Sequence, residues 1–290
     1  MNIFEKPIYF LESGTVVPKP YGIFHLVSVA ITALITFLLI KYFKDCDDKT
    51  LRKLVLSFWI AFVILEIYKQ THMSFHFNDG DPYWDYQWYA FPFQFCSSPH
   101  FILPFVIFMK DGKVRDACIS FMSFYCFVAG VSVFLVPTDV FTEVIGNNIQ
   151  TMYHHGMQIV FGIYFMVHFR KKLSFKYLTS GLTVLASLIA VALALNVVIY
   201  KYFMANGIDE TFNMFYISPF HECTLPVLNT VWHKLPYVPF VCVYFFGFIL
   251  CALIMFTLFR VFTKGSRVGI RSRKARKLAY ERDCVFYYGM

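Results

Sequence analysis

At 290 residues, 58% hydrophobic and only 15% charged, with a mean hydropathy of +0.56, the chain lies outside the range of soluble globular domains. Its apolar runs are continuous rather than alternating, which excludes a β-barrel and predicts an all-α membrane protein. The net charge of +8 gives no argument for nucleic acid, because the basic residues fall in alternate loops and a C-terminal stretch, as membrane topology alone demands.

Met1–Pro20 carries charges and prolines but no separate apolar segment, so no cleavable signal is expected and the first span serves as the targeting signal. Runs long enough to cross a ~30 Å hydrocarbon core fall at 21–43, 54–71, 89–109, 117–136, 151–169, 179–200 and 237–262, predicting a seven-helix transmembrane bundle. Lys41, Lys44, Lys49, Arg52 and Lys53 follow the first run. Lys110, Lys113 and Arg115 follow the third, and Arg170, Lys171, Lys172 and Lys176 the fifth. The largest group lies between Arg260 and Arg282. The positive-inside rule places these loops in the cytoplasm, with the N-terminus outside and the C-terminus inside. Residues 1–262 then form the membrane domain and 263–290 a basic cytoplasmic tail, whose Lys264–Lys277 segment can grip anionic headgroups.

Aromatic residues Tyr83, Trp84, Tyr86, Trp88 and Tyr89 mark an outer interface ahead of the third span, Pro137 ends the fourth, and Pro236 opens the seventh. A long outer loop is expected at 201–236. The third span is irregular, since Pro92, Pro99 and Pro104 each remove a helical hydrogen bond. Carbonyls freed in this way persist in a membrane only where protein or a polar cavity receives them. The eight cysteines show no C-x-x-C spacing, so neither a disulfide framework nor a zinc ribbon is indicated.

Ionisable or strongly polar side chains inside spans are costly and mark function. The candidates are His25, Glu66, Lys69, Gln94, Cys96, Ser97, Ser98, His100, His154, His155, Gln158 and Asn196. At the helical rise per residue, His25, Glu66, Cys96 and His155 lie ~6, ~9, ~10 and ~7 Å below the outer helix ends, one common layer. The bland readings are specific too. Glu66 pairs with Lys69 one turn away, Asn196 is helix-to-helix glue, and a lone histidine or cysteine is more often packing than catalysis. His72 and His76 have metal-ligand spacing beside Asp79 and Asp81 but lack a third anchored ligand. The sequence therefore predicts no metal and no cofactor.

A thiol and an imidazole suit nucleophilic acyl transfer. Cys96 would attack an ester carbonyl, His155 would act as base and then acid, with His154 as its neighbour, and Glu66 or His25 would orient the ring; water in place of a lipid acceptor would make the protein a lipid hydrolase. Gln94, Ser97 or Asn213 would supply donors to the oxyanion. The layer lies near the ester linkages of a phospholipid, so a phospholipid or lysophospholipid is the expected partner, drawn from the bilayer. No G-x-S-x-G elbow or H-x-x-x-x-D acyltransferase box is present.

Pro92-Phe93-Gln94-Phe95-Cys96-Ser97 and Tyr153-His154-His155-Gly156 resemble signature segments of the YwaF-like bacterial membrane proteins and their animal relatives, the transmembrane protein 164 family. Phe24-His25-Leu26, Asn213-Met214-Phe215-Tyr216 and Leu235-Pro236-Tyr237 extend the resemblance in matching order. It implies a seven-helix fold and a cysteine-dependent acyltransferase that moves acyl chains onto ether lysophospholipids. By position, it implies Cys96 as nucleophile and the His154–His155 pair as base, with His155 preferred because it precedes Gly156. One departure is Gln94, where many bacterial relatives carry histidine; glutamine cannot accept a proton. The competing class is a transporter or small-ligand binding bundle without catalysis, which the missing internal repeats and missing polar track to the cytoplasmic face oppose. The membrane would be the plasma membrane of a bacterium or the endoplasmic reticulum of a eukaryote.

Overall fold

Helix α2, Ile23–Phe43, buries His25, Thr32, Thr36 and Leu39 and turns Ile23, Leu34 and Phe37 outward. That is the reverse of a water-facing helix, and it is what a lipid solvent selects. The computed structural model describes residues 5–78, 81–137 and 140–288. Asp79, named above beside His72 and His76, lies outside the described residues, as do the side chains of Lys264–Lys277.

Among the described residues four helices are long and apolar enough to cross a membrane: Ile23–Phe43, Lys113–Leu135, Phe175–Asn206 and the Tyr237–Thr263 part of the last helix. The chain is a membrane protein. The second and fifth predicted runs are helical as well but carry polar chemistry. Helix α3, Asp48–Ser74, starts on Asp47, whose side chain accepts from the Thr50 amide, and holds Glu66 and Lys69. Helix α7, Ile145–His168, buries most of its residues and bears the histidine pair.

The third run departs from a plain span. Its first half is non-helical except for a 3-10 turn at Trp88–Ala90. A second 3-10 turn, Phe95–Ser97, leads into helix α4, Ser98–Phe108. Pro99 sits in the first turn of α4, where its missing N–H costs nothing, whereas Pro104 lies inside. The fourth run is one continuous helix with a π-helical stretch, Phe121–Cys126, between α5 (Lys113–Ser120) and α6 (Phe127–Leu135). Short α1, Glu5–Glu12, and a hairpin of β1 (Phe75–Asn78) and β2 (Asp81–Trp84) were not expected. Helix α8, Phe175–Asn206, ends at Gly207 with φ +65°, the left-handed cap glycine supplies readily. A 3-10 turn at Met214–Tyr216 and helix α9, Leu228–Trp232, occupy the expected long loop. The last helix, α10, continues from Tyr237 to Tyr288 without a break at 262.

The predicted basic loops meet at one end of the bundle. Asp48 accepts from buried Arg115 at 2.6 Å, Asp45 pairs with Arg170 at 2.5 Å, and Asp116 with Lys172 at 2.7 Å. The Arg170 hydrogen bond beside Asp45 holds that carboxyl below its ordinary range. Helices α3 and α4 run in opposite directions: Arg52 meets the Ile107 carbonyl while the Trp59 indole donates to the His100 carbonyl at 3.0 Å. At the far end the stretch just after α1 and the 142–145 segment are joined by a hydrogen bond from Thr15 N to the Glu143 carbonyl.

Two glycines set the helix spacing at the centre. A Cβ on Gly130 of α6 would lie 2.6 Å from the His155 carbonyl, and one on Gly156 of α7 would lie 2.7 Å from Thr32 Oγ1 of α2. Small residues at such crossings let membrane helices approach closely. The backbone of the His155–Gly156 pair is thereby gripped from two sides.

Candidate functional site

Between α3, α4 and α7 lies a buried polar layer in an otherwise apolar bundle. Glu66 is its hub. Oε1 receives the Lys69 ammonium at 2.7 Å and the Gln70 amide at 2.8 Å, and Oε2 receives the Gln150 amide at 3.2 Å. The expected Glu66–Lys69 pairing is therefore present, but it is one part of a larger network. Gln150 also reaches His154 Nδ1 at 3.1 Å, and the His154 ring lies 5.0 Å from that of His100, centroid to centroid. Fully buried Phe62 closes the layer, with its ring 4.8 Å from His154 and 5.4 Å from His100.

Cys96 enters from the 3-10 turn ahead of α4. Its carbonyl accepts from Gln158 Nε2 at 2.7 Å, which ties the thiol-bearing turn to α7 one helical turn from the histidine pair. The thiol's hydrogen-bonding neighbour is Ser97 Oγ at 4.0 Å, and among the described residues it bonds to neither imidazole. Lys69, only 17% exposed, joins this layer through Glu66 Oε1.

The two histidines differ. His154 is enclosed by Gln150, Glu66, His100 and Phe62. His155 Nδ1 stands 2.9 Å from the Thr151 carbonyl. A carbonyl only accepts, so Nδ1 carries the proton and Nε2 keeps the lone pair, the tautomer a base needs.

Other predicted site residues go elsewhere. His25 accepts from Tyr21 N at 3.1 Å and packs on Phe134 and Phe141; among the described residues it touches neither Glu66 nor the α7 histidines. Gln94 donates to the Asn213 carbonyl at 3.0 Å and accepts from Phe215 N at 2.9 Å. Asn213 is spent on Ser218 N and the Glu222 carbonyl, and Asn196 grips both backbone groups of Met214. These amides hold a loop in which Phe215 and Tyr216 have positive φ. Asn196 as glue matches its expected role. Ser97 lends its carbonyl to His100 Nδ1 at 3.0 Å. His72 bonds to Glu12 at 2.5 Å and His76 packs on Tyr83, and among the described residues the two do not converge on a metal site.

Sequence reasoning passed over Gln150 and Gln70. Each stands four residues from a named member of the layer, Gln150 from His154 and Gln70 from Glu66, and that spacing was the available signal. His100 was seen but given no role. It contributes with Glu66 and His154 to a group whose ligand atoms all lie within 4.8 Å of one another, where the sequence had predicted no metal-binding constellation.

No curated protein and no solved structure matches the chain. The family-level comparison is positive: residues 20–259 match the profile described as TMEM164 family, a stretch that takes in the thiol-bearing turn, the histidine helix and the clamped loop. With most of its length inside that match, the chain belongs to the TMEM164 family.

Proposed function

We propose that the protein is a membrane-embedded lipid acyltransferase working through a Cys96 thioester, with the site in the outer third of the bilayer. In this reading seven helical segments cross the membrane, the N-terminus lies outside, and the basic end faces the cytoplasm. The observation that carries it is the 2.7 Å bond from Gln158 to the Cys96 carbonyl, which docks the thiol's turn onto the helix bearing His154 and His155. The outer layer faces the depth at which phospholipid esters lie.

In the first half-reaction the Cys96 thiol yields its proton to His155 Nε2 and its sulfur attacks the ester carbonyl of a donor phospholipid. The tetrahedral oxyanion collapses, the C–O bond breaks, and the leaving lysophospholipid takes the proton from His155. In the second, an acceptor lysophospholipid hydroxyl gives its proton to His155 and attacks the thioester. Its collapse returns the proton to the sulfur and leaves a remodelled phospholipid. The Lys69 ammonium, held by Glu66 in the same polar layer, favours the anionic species along this path.

The test is to incubate purified protein with phospholipid carrying a labelled acyl chain. A hydroxylamine-sensitive adduct is expected on the wild type and its loss in Cys96→Ala. Equal labelling of the folded Cys96→Ala variant overturns the reading.

A further inference from the structure

We infer that Glu66, His100 and His154 form a site for a single divalent transition-metal ion, zinc being the best match. The donor set is one carboxylate and two imidazoles, a combination suited to zinc with an open fourth position. The three come from three helices, α3, α4 and α7, and their ligand atoms lie within 4.8 Å of one another. His154 Nδ1 stands 3.9 Å from Glu66 Oε2. Donors ~2.1 Å from a tetrahedral ion are ~3.4 Å apart, so that pair closes by only about half an ångström.

The frame around these donors is braced. Trp59 of α3 bonds to the His100 carbonyl, Tyr153 of α7 to the Phe58 carbonyl at 2.9 Å, and Gln158 of α7 to the turn before α4. Phe62 keeps one wall dry.

The polar contacts within the layer already anticipate a cation. The Gln150 amide nitrogen, a donor, bridges Glu66 Oε2 at 3.2 Å and His154 Nδ1 at 3.1 Å, standing where two acceptors converge. Lys69 occupies the other carboxylate oxygen, Oε1, and leaves Oε2 directed at the histidine. At His100 the partners conflict: Nδ1 lies 3.0 Å from the Ser97 carbonyl and Nε2 3.1 Å from the Phe62 carbonyl. A neutral ring has one N–H for two acceptors, so one lone pair confronts an oxygen. Turning that nitrogen from its carbonyl to an ion removes the conflict, and the other nitrogen still donates to its carbonyl, the arrangement that orients metal-bound histidines.

The test uses the full-length protein in detergent, stripped with chelator, exposed to micromolar zinc, desalted and analysed for metal by mass spectrometry. One zinc per chain is expected. Glu66→Gln, His100→Ala and His154→Ala each lower occupancy at least tenfold, while His72→Ala and His76→Ala retain it. Cobalt loaded into the wild type is expected to show the intense visible bands of tetrahedral coordination, a readout that does not depend on any variant folding. Folded wild type that retains no zinc, zinc retained equally by His100→Ala and His154→Ala, or a weak octahedral cobalt spectrum each overturns the site. None of these measurements depends on acyl transfer.

Discussion

Gln158 donates its amide N–H to the Cys96 carbonyl at 2.7 Å while its own Oε1, fully buried, has no hydrogen-bond partner among the described residues. The carbonyl can only accept, so the orientation of the amide is fixed and the free atom is an acceptor with two lone pairs. A buried acceptor without a donor is costly, and such atoms mark places where a water or ligand completes the bonding.

Gln158→Met keeps the volume and removes both amide atoms. The acyl-adduct rate is expected to fall at least tenfold, and the melting temperature in detergent by the equivalent of ~1–3 kcal/mol, the cost of leaving the Cys96 carbonyl unpaired. An unchanged adduct rate in a folded variant removes Gln158 from the positioning of the thiol.

The two histidines are expected to separate kinetically. His155→Gln loses the Nε2 lone pair and should slow adduct formation by ~10²–10⁴-fold, the usual span for a general base. His154→Gln leaves that lone pair in place and should affect adduct formation much less. Labelling kinetics of the two purified variants decide the assignment, and the opposite ranking makes His154 the base.

Gly156→Ala drives a methyl into Thr32 Oγ1, 2.7 Å from the added carbon. Overpacking of this kind costs ~1–3 kcal/mol. Adding Thr32→Ala removes the obstructing hydroxyl and should restore most of the lost melting temperature. Gly130→Ala meets a backbone carbonyl, which no side-chain change removes, so the same partner substitution should leave it unrescued.

Asp48 is the first residue of α3, ahead of its apolar stretch. Burial pushes its carboxyl upward, but hydrogen bonds from Arg52 and Arg115 outweigh this and hold it below the ordinary 3.8. A carboxyl depressed on folding adds stability that is complete above its unfolded pKa and vanishes as the pH falls through its folded value. Asp48→Asn should therefore cost ~1–2 kcal/mol at neutral pH, discounted for the carboxylate's partial exposure. The difference from wild type should shrink below about pH 4, as melting curves at several pH values would register.

Composition alone set the membrane class, because no soluble domain carries this much apolar surface. Charge periodicity placed the loops that gather at one end as Asp48–Arg115 and Asp45–Arg170. The seven apolar runs were legible as helical segments, and the prolines warned that the third would be broken. The Cys96 turn and the His154–His155 helix were also legible, because polar groups stand out against an apolar chain. What the sequence could not give was which face of each helix turns inward. In lipid both faces are apolar, so the hydrophobic pattern that orients a helix in water carries little information.

Tertiary packing made that choice. Contacts at Gly130 and Gly156 fix the approach of α6 and α2 to α7. Bonds spanning dozens of residues, such as Gln150 to Glu66 and Gln158 to Cys96, then select the members of the polar layer. His25 shared the expected depth and is left out, because depth follows from counting residues whereas direction follows from the neighbours. Gln94 and Asn213 are likewise claimed by the backbone of a loop more than a hundred residues after Gln94, a demand invisible until the chain has folded. His100 joins Glu66 and His154 for the same reason in reverse: three helices packed around Phe62 bring their side chains to one point.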